Sequence, residues 1–86
     1  MNIEELCGRI HAALGRIDSG IANLERERNY ILSTMNKLQS NFGDQSAGQQ
    51  AVTELYRAIN SIAAADSSLN ALRVVLGRYT DEIKRR

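Results

Sequence analysis

The chain predicts an all-α fold: an antiparallel two-helix hairpin with long coiled-coil-like arms, completing a four-helix bundle on dimerisation. Three observations lead there. Ile3, Ile10, Ile17, Leu24, Ile31 and Leu38 recur every seven positions, and Cys7, Leu14, Ile21, Met35 and Phe42 follow four residues after all but one of them. That spacing is the apolar seam of a long helix, interrupted only at Arg28. The second half repeats the pattern with Leu55, Ile62, Leu69, Leu76 and Ile83, flanked by Ala58, Ala65, Leu72 and Tyr79. Finally, the 86 residues contain no proline, as two uninterrupted helices require.

The elements follow in order within a single domain spanning 1–86. The first helix is expected over about residues 3–42. Asn2 caps it, with Glu5 three residues on completing a capping-box-like pair, and Glu4 and Glu5 place negative charge at the positive end of the dipole. Gly43 suits the left-handed position that ends a helix. A turn over 43–46 follows, and Ser46 with Gln49 has capping-box spacing. The second helix is expected over about 47–84, with basic residues at its negative end.

Folding the seams together about residue 45 pairs residues whose numbers sum to about 90. Leu38 then meets Val52, Met35 meets Leu55, and Ile31 meets Ile59. Farther down, Ile21 meets Leu69, Leu14 meets Leu76, Ile10 meets Tyr79 or Thr80, and Cys7 meets Ile83. Apolar meets apolar at nearly every rung, over arms roughly 60 Å long. Arg28 and Asp66 are the exceptions. They lie about one helical turn apart, so they either pair across the hairpin or extend separately to water. Gly8, Gly15, Gly20 and Gly77 weaken helix interiors, and the Asp18-Ser19-Gly20 and Asp66-Ser67-Ser68 stretches are candidate kinks.

Composition argues against several functions. Lys and Arg number 11 against 10 Asp and Glu, for a net charge of +1, without the clustered cationic face that nucleic-acid binding needs. No run approaches the roughly 18 apolar residues of a membrane span. The acidic start, Met1-Asn2-Ile3-Glu4-Glu5, lacks a signal-peptide pattern. The expected location is the cytoplasm, with export lacking a classical signal as the alternative. Cys7 is the only cysteine and His11 the only histidine, which excludes an internal disulfide and a histidine pair on a metal. Cys7 reads as a small seam residue, and His11 as a solvated one beside the seam. No catalytic constellation or phosphate-binding glycine loop occurs, so neither an enzyme nor a cofactor is expected.

What remains is surface for a partner helix. Gly8, Ala12, Gly15, Ser19 and Ala22 recur at helical spacing away from the seam of the first helix. Ser61, Ala64, Ser68 and Ala71 do so along a flank of the second. Small stripes let another helix approach closely. Val52, Ile59 and Val75 add apolar width beyond one narrow seam, as a helix touching two neighbours needs. The expected partner is a helical protein, either a second copy or a different chain.

The paired arms of about 40 residues, rich in Ala and Ser and joined at a glycine-containing turn, resemble the ESAT-type (Trp-x-Gly) small proteins of bacterial type VII secretion. They are also similar to the helical partners of the related LXG toxins. The family's Trp-x-Gly turn falls at Asn41-Phe42-Gly43, where the glycine matches. Its export signal, a tyrosine followed four residues later by an acid, falls at Tyr79, with Asp81 and Glu82 arriving early. The resemblance implies a non-enzymatic partner that binds a toxin's helical N-terminal region through a composite of seams and stripes. Tyr79, Asp81 and Glu82 would form its targeting patch. The alternative reading is a homodimeric coiled-coil adaptor or small chaperone unrelated to secretion.

Overall fold

The structure, a computed structural model, describes residues 2–85. Helix α1 spans Ile3–Phe42 and helix α2 spans Ser46–Arg85, joined through residues 43–45. The two lie side by side as a rod of 62 × 16 × 14 Å. Its radius of gyration is 19.1 Å, where a compact domain of this length has about 12 Å. Neither candidate kink interrupts its helix, because tertiary pairing along the arm offsets the weak local propensities.

The start of α1 is built as its sequence implies. Asn2 is extended, and its side-chain oxygen accepts the Glu5 N–H at 2.8 Å. The turn departs from expectation in two ways. Gly43 sits at φ −64°, ψ −21°, a right-handed conformation, and donates its N–H to the Gln39 carbonyl at 3.2 Å. The second departure is that Ser46 is already helical, with no capping box. Gln49 donates its backbone N–H to Gln45 at 3.0 Å, and its side chain donates to the Gly43 carbonyl at 3.1 Å. The Gln49 amide thus satisfies an orphan carbonyl at the exit of α1, which competes for it with the start of α2.

The reversal depends on Gly48. It is buried, and a Cβ placed there would collide with the Phe42 carbonyl oxygen, lying 2.9 Å from its carbon and 3.1 Å from the Phe42 Cβ. Only a residue without a side chain permits this approach. With Gly48 turned inward, Val52, Leu55 and Ile59 follow on the same face of α2. Met35, Val52 and Ile59 are buried together, with Ile31, Leu32, Leu38 and Leu55 packed around them. These are the rungs that the summed numbering pairs.

Carried down α2, this rotation corrects the expected seam. Ile62, Leu69, Leu76 and Ile83 stay on the inner side, half-buried. The companion positions are buried Val52 and Ile59, then half-buried Asp66 and Thr80 with exposed Arg73 between them, rather than Ala58, Ala65, Leu72 and Tyr79. Of that expected set only Ala58 is half-buried, while Ala65, Leu72 and Tyr79 are exposed. The distal seam is completed from α1 by buried Ile10 and Ile17, with Cys7, Leu14, Ile21 and Leu24 half-buried. A Cβ on Gly20 would lie 3.5 Å from the Leu69 Cδ1, which places the two helices level as the summed numbering requires.

Replacing Gly48 with alanine is expected to lower unfolding stability by about 1–3 kcal/mol, because the overpacked turn has backbone on its far side. Gly8→Ala and Gly15→Ala, where a new Cβ meets nothing within 4 Å, should instead raise it by up to about 1 kcal/mol each. Urea denaturation followed by circular dichroism distinguishes the two directions.

Candidate interaction surface

A two-helix rod leaves most of each helix facing outward, so the surface is read by the side to which each residue turns. At 100° per residue, Gly8, Ala12, Gly15, Ser19 and Ala22 fall opposite the α1 seam, directly away from α2. All five are exposed. Ser61, Ala64, Ser68, Ala71 and Val75 are also exposed; Ala64 and Ala71 turn directly away from α1, and Ser61, Ser68 and Val75 lie between that face and a lateral flank of α2. The two small-residue stripes therefore occupy different sides of the hairpin, and one docked helix meets only one of them. Val52 and Ile59 need a correction: at 8 and 9 % exposure they are hairpin core, drawn inward by the rotation at Gly48. Tyr79, Asp81 and Glu82 are exposed, with the two acids on different faces.

The flank of α2 is richer than the small residues alone suggest. Leu72, Val75 and Tyr79 are 45, 58 and 49 % exposed and succeed one another at spacings of three and four, on one side. Ala65 joins them at the same spacing. Periodicity assigns Ala65, Leu72 and Tyr79 to the intramolecular seam, so Ala65 and Leu72 are missed as outer surface, and Tyr79 is expected there only as part of a targeting patch. The signal that separates the alternatives is Gly48, whose spacing to Val52, Leu55 and Ile59 marks the inner face.

On the opposite flank the hairpin is polar. Arg73 Nη1 donates to the Asp18 carboxylate at 2.9 Å, the one ion pair between the helices among the described residues. Arg73 also donates to the Asn70 side-chain oxygen at 2.6 Å, and Asn70 in turn donates to the Asp66 carbonyl at 2.9 Å and carboxylate at 3.1 Å. Arg28 and Asp66 do not pair. They line one open groove with Leu24 and Ile62, but the Asp66 carboxylate is turned to Asn70, leaving the Arg28 head in solvent. This ladder fills positions that apolar residues hold nearer the turn. Its charges remain about half exposed, so it orders the flank without supplying much stability.

No group of three or more His, Cys, Asp or Glu is placed to hold a metal ion among the described residues. Cys7 is a free, half-buried thiol, and His11 is exposed beside the seam. Among the same residues, neither helix is long and apolar enough to cross a membrane. No family model, curated protein or solved structure matches the chain. Its surface is thus the principal guide to what it does.

A double-mutant cycle with Asp18→Asn and Arg73→Gln is expected to give a coupling of about 0.2–1 kcal/mol that fades between 50 and 500 mM salt, as exposed pairs do. Coupling above about 2 kcal/mol in urea denaturation would place the pair among structural determinants instead.

Proposed function

We propose that the chain is a non-enzymatic helix-pairing module, which works by completing a four-helix bundle with another helical protein. One observation carries the reading. The hairpin exposes 6507 Å², whereas a compact monomer of 9.6 kDa exposes about 5,100 Å². The excess, about 1,400 Å², exceeds the roughly 800 Å² that each partner buries in a standard interface. No side chain among the described residues is fully buried. Each helix covers only one stripe of the other, so the remaining apolar surface gains protection only from further helices.

The reading predicts that stability depends on concentration. The midpoint of thermal unfolding should rise by several degrees between about 1 and about 100 µM protein, because association binds only the folded state. A midpoint independent of concentration, in a chain fully helical at the lowest one, would contradict it.

A more specific form is a partner of a type VII secretion effector, and the arms of 40 residues each, joined over 43–45, support it. The exposed Tyr79 with nearby Asp81 and Glu82 would then serve targeting. Removing residues 79–86 should abolish export from a secreting host while leaving binding to the toxin's helical N-terminal region detectable, since most of both helices remains. Undiminished export would remove the targeting role. The alternative, a homodimeric adaptor or small chaperone, needs no such tail.

A further inference from the structure

We infer that the exposed flank of α2 is a self-complementary interface, through which two copies of this chain pair their α2 helices antiparallel about a two-fold axis level with residue 70. This rests on the helix-pairing reading and names its partner as a second copy. Ser61, Ala65, Ser68, Leu72, Val75 and Tyr79 succeed one another at spacings of 4, 3, 4, 3 and 4, the rhythm of a coiled-coil seam, on a strip that the hairpin leaves exposed. Bulk is graded along the strip, small toward the turn and large toward the open end. Antiparallel pairing with residue numbers summing to 140 therefore sets Tyr79 over Ser61, Val75 over Ala65 and Leu72 over Ser68. A two-fold axis makes every such match twice, so each large side chain meets a small one.

Charge agrees with the same register. Arg57, on this side of α2 and exposed, pairs in the hairpin only with exposed Glu54 of its own helix at 2.8 Å, and falls within one residue of the level of Glu82 of the second copy; the reverse pair is equivalent. The two halves of the rod also differ in need. The turn half has its own buried cluster of Met35, Val52 and Ile59. The open half has Asp66 and Arg73 in its seam, with Leu72, Val75 and Tyr79 outside. The proposed overlap covers the open halves and leaves the self-sufficient turns projecting at either end. Because Gly20 lies level with Leu69, the same axis sets the two α1 helices past each other near residue 20. The result is a closed square of four helices. The excess of about 1,400 Å² per chain exceeds the roughly 800 Å² that each partner buries in a standard interface.

Sedimentation equilibrium of the full chain tests this, with far-ultraviolet circular dichroism to confirm helicity. The chain should be a dimer, and Ser68→Glu should weaken it by at least about 100-fold, since two carboxylates enter the centre of the apolar strip. Arg57→Glu and Glu82→Arg should each weaken it about 5- to 10-fold, and the double variant should return within about twofold of the original. A dimer indifferent to Ser68→Glu, or charge variants that do not rescue one another, would overturn this interface while leaving helix pairing intact. A monomer of low stability would overturn self-pairing and leave pairing with a different protein. A stable monomer would overturn both.

Discussion

Everything in this fold follows from one close approach. Gly48 lies against the Phe42 backbone at the entrance to α2, where a side chain would collide with the carbonyl of the helix just left. That contact sets the rotation of α2 about its own axis. A helix is rigid about its axis, so a rotation fixed at one end is carried along the 40 residues of the arm. Val52 and Ile59 turn inward and make a core. The same rotation brings Asp66, Arg73 and Thr80 toward the seam farther down, and sends Leu72, Val75 and Tyr79 to the outside.

The rod is consequently graded. Near the turn, the helices bury Met35, Val52 and Ile59 against aliphatic neighbours, and the hydrophobic effect holds them together. Toward the open end, Ile10 and Ile17 are buried but face a seam diluted by polar side chains. There the polar ladder from Asp18 through Arg73 and Asn70 to Asp66 covers one side. On the opposite side α2 exposes Leu72, Val75 and Tyr79. Polar groups thus stand in the seam of the open half while Leu72, Val75 and Tyr79 stand outside it.

Much of this was legible in the residues. The two sevenfold repeats gave both helices, and their ends matched to within a residue, because long periodic apolar patterns override local glycine and serine weaknesses. The Asn2–Glu5 cap formed as its spacing implies. The turn was less legible. Gly43 looked like the residue that needed a left-handed conformation, yet it is right-handed; a Cβ there would instead collide with the Gln39 carbonyl oxygen, and Gly48 has the like need against Phe42, a requirement set by neighbours in space. The phase of the second seam was ambiguous for the same reason. Ala58, Ala65, Leu72 and Tyr79 are as plausible an inner stripe as the one observed, and periodicity alone cannot choose between stripes one residue apart. Among the candidate partner residues, only Val52 and Ile59 turned inward with that choice. The Arg28–Asp66 pairing failed because Asn70, one turn along the same helix, reaches the carboxylate first.

The rotation of α2 is therefore the quantity to measure, and isotope-filtered NOE spectroscopy on a mixture of labelled and unlabelled chains does so directly. The account predicts contacts within one chain between Gly20 and the Leu69 methyls, and contacts between chains from the Tyr79 ring to Ser61 and Ala65. Tyr79 ring contacts confined to Ile10 of its own chain, with Thr80 facing solvent, would mean that α2 is turned the other way and would contradict it.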